Sequence, residues 1–194
     1  VGGFMSKGTS FYFTFTGKKI FPNNIKKSDI CLEDIAHHLS KINRFGGSLP
    51  VGVSYTVAQH SLHLAEYVYI KDENRNLAAA LLLHDAAEAY LGDVVSPLKA
   101  TLSDYKDIED KVSNIIFNKY NIKLAPRDKR LLDSYDKRIL LDEFKWLIPK
   151  RFEEVQKALS GVEPLGVPIL GNMPDYLLKD HYIKFCRELG VYDK

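Results

Sequence analysis

An uninterrupted apolar run, residues 77–83, leads directly into His84-Asp85 and then continues as Ala86-Ala87-Glu88-Ala89. A carboxylate set into such an apolar helix must be paired, protonated or bound to a cation, because an isolated buried charge is prohibitively costly. Asp85 therefore asks for a partner. His84 beside it offers a neutral imidazole nitrogen, and mixed nitrogen and oxygen ligands suit Zn, Mn, Fe or Co better than Ca. Adjacent helical residues diverge by about 100°, so His84 and Asp85 reach one ion only if it sits between their side chains and other helices complete the shell. His60, in Tyr55-Thr56-Val57-Ala58-Gln59-His60-Ser61-Leu62, and Asp136, in Ser134-Tyr135-Asp136-Lys137-Arg138-Ile139-Leu140, meet that requirement on two other buried helices.

The elements that must position these groups are mostly helical. Leu32, Ile35, Ala36, Leu39 and Ile42 recur at helical spacing after a cap at Ser28 or Asp29, in a helix that delivers Arg44 and Phe45 before Gly46-Gly47 stops it. Residues 57–69 form a second helix with His60 one turn in. Residues 77–91 read as a central buried helix, ended by Gly92 in the left-handed conformation. Residues 104–120 alternate charged and apolar positions with a helical period, and Pro126 opens a long helix to residue 147 with Asp136 near its middle. Three Gly and three Pro make residues 161–174 irregular, and 175–189 returns to a helical pattern. The aromatic alternation of residues 11–22, broken at Thr16-Gly17, predicts a hairpin. The expectation is an all-α, single-domain helical bundle over residues 11–194 with a small N-terminal β-hairpin. Residues 1–10 form a tail, of which Val1 to Phe4, ahead of Met5, read as additions to the native start and are left out of the fold argument.

The order His60, then His84-Asp85 with Glu88 and Gly92-Asp93 following, then Asp136, resembles the HD-domain phosphohydrolases. More narrowly it resembles the branch containing bacterial 5′-deoxynucleotidases and phage deoxynucleotide triphosphohydrolases, over residues 31–143. The resemblance implies a helical HD-domain fold in which His60, His84, Asp85 and Asp136 bind one divalent ion, of Co, Mn, Zn, Fe or Mg. Positions would be left on it for water and a phosphate oxygen. Glu88 resembles the family's general acid or base, and Asp93 its acidic group near the sugar and scissile bond. Arg44 corresponds to an Arg that holds substrate phosphate, a task matched to a guanidinium fork. Phe45 departs from the Trp of the bacterial deoxynucleotidases, so selection against ribose does not carry over. Lys99 adds positive charge at the same mouth.

Each residue also has a plainer reading. Glu88 could pair with a nearby Lys, Asp93 could cap the segment after it, and Arg44 could neutralise the C-terminal end of its own helix. A lone buried His is usually a hydrogen-bonded core residue, and a lone Asp136 would read as solvated. His37, His38, His63 and His181 have no motif support, so structural or surface roles are preferred, although His63 shares a helical face with His60. The aromatic alternation of the hairpin is explained at least as well by packing as by a nucleobase platform.

Composition narrows the function classes. A 45% hydrophobic content supplies ample core, and a formal charge of +2 argues against a large nucleic-acid or acidic-membrane surface. Cys31 and Cys186 fit neither a disulfide scaffold nor a zinc ribbon, and a reducing cytoplasmic setting suits them. No run is long enough to span a bilayer, so a soluble protein is expected. The expected reaction converts a deoxynucleoside 5′-monophosphate to deoxynucleoside and phosphate. Release of triphosphate from a deoxynucleoside triphosphate, cleavage of a cyclic or oligonucleotide diester, and a non-catalytic nucleotide-binding module are the alternatives. The expected partner is a small nucleotide, with no stable nucleic-acid partner, no membrane and a homodimeric assembly.

Overall fold

The computed structural model describes residues 10–193. Apart from residue 10, the tail expected at residues 1–10 lies outside the described residues. The chain runs β1 (Tyr12–Phe13), β2 (Lys19–Ile20), α1 (Leu32–Leu39), α2 (Val57–Lys71), α3 (Arg75–Leu83), α4 (Glu88–Leu91), α5 (Ser96–Lys99), α6 (Ser103–Lys119), α7 (Pro126–Leu147), α8 (Phe152–Ala158) and α9 (Asp175–Glu188). The all-α expectation holds, with one antiparallel two-stranded hairpin that pairs Tyr12 with Ile20 and Phe13 with Lys19. No described helix is long and apolar enough to cross a membrane.

The centre of the molecule is the pair α2 and α3, joined by the short segment 72–74. Residues 77–83 are all buried, which is the structural consequence of their unbroken apolarity. Helix α7 packs against both α2 and α3, α9 packs against α1 and α2, and α1 also meets α4. Three elements that carry the chemically capable residues are thereby held against one another.

Local signals fix where these helices start. Thr56 Oγ1 accepts from the Gln59 amide at 3.3 Å while Gln59 Oε1 accepts from the Thr56 amide at 3.0 Å, a reciprocal cap for α2. Gln59 Nε2 donates to Leu170 O at 2.8 Å, so both the oxygen and the nitrogen of this buried amide are engaged. His60 is the next residue, and its direction follows from that fixed first turn. Asn74 caps α3 through Leu77 N at 3.0 Å, and Pro126 opens α7 where its missing amide hydrogen costs nothing.

The structure corrects the sequence reading in several places. Helix α1 ends at Leu39, before Ile42, and its N-cap is Cys31, beyond both Ser28 and Asp29. The Ser40 hydroxyl donates back to His37 O at 2.8 Å, and the chain then becomes extended, bridging Asn43 to Thr56. Arg44 N donates to Tyr55 O at 2.9 Å and Val57 N to Ile42 O at 3.0 Å, so Arg44 and Phe45 are delivered by pairing with the entry to α2. The helix expected over residues 77–91 is two, α3 and α4, separated by a tightened turn. Gly92 has a positive φ of 83° but an extended ψ of 157°, so it ends α4 without taking the left-handed helical conformation. Two short helices, α5 and α8, carry no strong periodic signal and were not expected.

The hairpin is tied to the bundle by buried polar contacts. Asp34, fully buried on α1, accepts from Thr16 N and Thr16 Oγ1, both at 2.8 Å, and from Cys31 Sγ at 3.0 Å. His38 donates through Nδ1 to Ala89 O at 2.5 Å and accepts at Nε2 from Phe15 N at 3.2 Å. Burial pushes the Asp34 carboxyl upward, but the bonds from Cys31 and Thr16 outweigh it and bring the group below its ordinary value of 3.8. A carboxyl depressed on folding contributes stability above its unfolded value and loses it as pH falls through the folded one. Asp34→Ala, which leaves the Thr16 amide without its acceptor, should therefore cost about 1–3 kcal/mol by urea unfolding at neutral pH. The gap to wild type should narrow on acidification below the ordinary carboxylate value; a gap that stays constant down to pH 2 would contradict this account.

Candidate metal centre

His60, in the first turn of α2, is fully buried, and His84 caps the end of α3. Their outer nitrogens are both committed. His60 Nδ1 lies 2.6 Å from Glu143 Oε1, and His84 Nδ1 lies 2.7 Å from Leu81 O. A carbonyl and a carboxylate only accept, so each Nδ1 carries a proton and each Nε2 is turned inward, where a neutral ring would present a lone pair. Those two Nε2 atoms face each other at 3.3 Å. Asp85 Oδ2 lies 3.2 Å from the His84 Nε2 and 3.7 Å from the His60 Nε2, and Asp136 Oδ1 lies 3.2 Å and 3.9 Å from the His60 and His84 atoms.

Four acceptors thus converge with no donor between them, an arrangement that only a cation or added protons can stabilise. Charge balance points the same way. Asp85 and Glu143 contact the guanidinium of Arg44, and Asp136 adds a third carboxylate against His60, so two negative charges would remain if both imidazoles were neutral. Ligand atoms of His60, His84 and Asp85 lie within 4.8 Å of one another, close enough to hold one metal ion, and Asp136 flanks that trio from α7. Nitrogen and oxygen donors of this kind fit a divalent transition metal. Burial disfavours a charged His84, but Asp85 and Asp136 outweigh it and push the ring up to about 9. Burial likewise works to raise Asp85, yet His84 first, then His60 and Arg44, hold it well below the ordinary carboxylate range.

The geometry depends on how the chain winds after α3. Ala86 N bonds to Leu83 O and Glu88 N to Asp85 O, both spanning three residues, so residues 84–88 tighten relative to an α-helix. The His84 ring, anchored to Leu81 O, and the Asp85 carboxylate are brought to one point by that turn. Glu88 then begins α4, buried, with Oε1 accepting from Lys99 Nζ at 3.3 Å and Oε2 without a hydrogen-bond partner among the described residues. Burial chiefly, with the charges of Asp85 and Asp93, pushes Glu88 up to about 9 against the pull of Lys99.

A cleft of about 450 Å³ opens on this centre. Its polar end carries Arg44, Asp85, Glu88, Asp93, Lys99 and Asp136, and its apolar wall carries Phe45, Val94, Val95, Pro97, Leu140 and Phe144. The residues singled out from the sequence therefore meet in one place, with His60 and His84 behind the cleft floor. Phe45 takes a left-handed φ of 59°, costly for a bulky residue, and its ring meets Phe144 edge-on at 5.4 Å. Asp93 lies in the loop after Gly92, with its carboxyl raised by burial, and does not cap α5, whose N-cap is Val95. Arg44 does not neutralise the C-terminal end of its own helix, because α1 stops at Leu39; it stands ahead of a 3-10 turn at residues 45–47 and reaches Glu143 at 3.3 Å and Asp85 at 3.4 Å. Lys99 is less free than expected, since Glu109 Oε1 holds its amine at 2.7 Å while Glu88 takes another of its protons.

The remaining histidines take structural places. His63 bonds to Tyr55 Oη at 3.0 Å, His37 stacks on Phe15 at 3.7 Å, and His181 pairs with Glu66 at 2.8 Å. One residue of the site escaped the sequence reading. Glu143 lies seven residues beyond Asp136, two turns along the same face of α7, and that spacing within the apolar-flanked Leu140-Leu141-Asp142-Glu143-Phe144 was the available signal.

Comparison with known proteins accords with this geometry. A family model described as HD domain matches residues 51–155, more than half of the chain. The uncharacterized protein YfdR of Escherichia coli is 42% identical over 113 residues, covering 58% of this chain and 60% of that protein. An uncharacterized protein of Rhodobacter capsulatus is 36% identical over 100 residues, covering 48% of this chain and 50% of its own length. The chain thus spans about half to three fifths of the length of these relatives, and Arg44 and Phe45 precede the span matched by the family model. With His60, His84, Asp85, Glu88, Asp93, Asp136 and Glu143 all inside that span, the chain belongs to the HD-domain family.

Proposed function

We propose that this protein is a metal-dependent phosphohydrolase that cleaves a deoxynucleoside 5′-monophosphate to deoxynucleoside and phosphate. The observation that carries the reading is the convergence of two imidazole lone pairs and two carboxylates at the floor of an open cleft. In this reading His60, His84, Asp85 and Asp136 hold one divalent ion, which when bound polarises the phosphoryl group and acidifies a water molecule.

The chain's own residues account for the rest. Arg44 keeps guanidinium donors beyond its two long contacts, and these suit a phosphate oxygen at the cleft's polar end. The wall formed by Phe45, Phe144, Val94 and Val95 shields sugar and base from water, and a cleft of this size falls within the usual range for small-ligand sites. Glu88, kept protonated near neutrality by its burial, is placed to give its proton to the departing sugar oxygen. Lys99, held by Glu109, fixes the Glu88 carboxyl and tempers its rise. Because Lys99 is engaged in this way, little free positive charge remains for a longer phosphate chain, which favours the monophosphate.

Two experiments check the proposal. Incubating the metal-loaded protein with deoxy- and ribonucleotides should release inorganic phosphate from deoxynucleoside monophosphates, and Glu88→Gln should lower kcat by about 10²–10⁴-fold while metal uptake persists. Triphosphate release would move the assignment to a triphosphohydrolase, and reaction of diesters alone would replace it. Exhaustive chelation should abolish turnover, and restoring Mn, Co or Zn at a hundredfold excess over Kd should stabilise the fold by about 2.7 kcal/mol, roughly 5–10 °C in Tm. Full activity after chelation would refute metal dependence.

A further inference from the structure

Glu143 is fully buried, and its two oxygens point to different tasks. Oε1 accepts from His60 Nδ1 at 2.6 Å, and Oε2 accepts from Arg44 Nη2 at 3.3 Å. Arg44 Nη1 in turn reaches Asp85 Oδ2 at 3.4 Å, and Asp85 lies 3.7 Å from the His60 Nε2. The contacts therefore close a ring, His60 to Glu143 to Arg44 to Asp85 and back, that joins the metal-facing imidazole to the guanidinium at the cleft's polar end. We propose that Glu143 is a positioning residue that fixes His60 in the tautomer with Nε2 free for the metal and at the same time orients Arg44 toward the substrate phosphate.

The inference rests on the metal-dependent reading above and extends it. The chemistry singles out a carboxylate. Both partners are donors, and only a carboxylate accepts at both ends without a conformational change. A glutamine of the same shape must turn its NH₂ either to Arg44, setting donor against donor, or to His60, which drives the imidazole to the opposite tautomer and puts a hydrogen where the metal belongs. An aspartate keeps both acceptors on a stem one methylene shorter. If Glu143 served only to neutralise Arg44, removing its charge would alter stability but leave the metal affinity of His60 alone.

The test measures metal binding and fold stability on the full chain. Co²⁺ and Mn²⁺ titrations by calorimetry, the visible spectrum of the Co²⁺ form, and Tm of the metal-free protein are recorded for wild type, Glu143→Gln and Glu143→Asp. Glu143→Gln should weaken metal binding by about 10–100-fold and shift the Co²⁺ spectrum while the metal-free Tm stays within a few degrees of wild type. Glu143→Asp should recover part of that loss, and KM for the monophosphate should rise in Glu143→Gln even at saturating metal. Unchanged metal affinity in Glu143→Gln beside a metal-binding wild type overturns this inference and leaves the proposed function standing. A wild type that binds neither ion overturns both. Should Glu143→Gln prove unfolded, equal affinity in Glu143→Asp and wild type with an unchanged spectrum and KM would also overturn it.

Discussion

The structure is organised around a crowd of electron pairs that has no business in an apolar interior. Two imidazole nitrogens at 3.3 Å, with carboxylate oxygens of Asp85 and Asp136 beside them, repel one another unless something positive lies between. Such a cluster survives only if the scaffold is stiff enough to hold it and charged enough nearby to limit the cost. Stiffness comes from the α2–α3 pair, whose facing surfaces are wholly buried, and from α7 laid against both. Arg44 supplies part of the charge; burial works against its ionisation, but the carboxylates of Glu143, Asp85 and Asp136 outweigh that and keep it charged. The residual double negative charge would match a divalent ion, so the electrostatic imbalance of the fold and the positions of the four side chains favour the same kind of occupant.

Tightening after Leu83 belongs to the same constraint. An ideal helix would send His84 and Asp85 apart by about 100°. Three-residue hydrogen bonds at Ala86 and Glu88 shorten the turn, and Leu81 O, released from regular pairing, becomes the anchor for the His84 ring. One local change therefore aims both ligands, selects the imidazole tautomer and starts α4 with Glu88 facing the cleft. Alanines at 86 and 87 permit it, because small side chains pass close beneath the core without clash.

Much of this was legible in residue types and spacing. The apolar surroundings of Asp85 and Pro126 at the head of α7 carry local physical signals that tertiary packing leaves intact. What escaped lay where long-range contacts override local preference. Ile42 continues a helical period, yet the next residue, Asn43, bridges to Thr56, thirteen residues on, and that pairing cannot be read from a window of neighbours. Glu143 was hidden for a related reason: a glutamate in a charged amphipathic helix reads as solvated until two donors from other elements, His60 and Arg44, are known to face it. Lys99 looked free for substrate because Glu109, which claims it, sits on the next helix at no diagnostic spacing.

The mouth of the cleft shows a different balance. Phe45, Gly46 and Gly47 all take positive φ, but only Phe45 has a side chain that makes this costly, of order 1–3 kcal/mol. The neighbouring glycines let the loop turn sharply enough to bring the ring against Phe144, and Gly46 passes so near Val95 that an added Cβ would sit 3.4 Å from its methyl carbon. The strained loop is therefore pinned between α7 and the segment after Gly92, the two walls of the cleft. Relaxing Phe45 would withdraw its ring from Phe144 and swing Arg44, its immediate neighbour, away from Glu143 and Asp85. The backbone cost at one residue is thus offset by contacts that set both the apolar wall and the cationic corner, so the shape of the cleft and the charge balance at its floor are fixed by the same short turn.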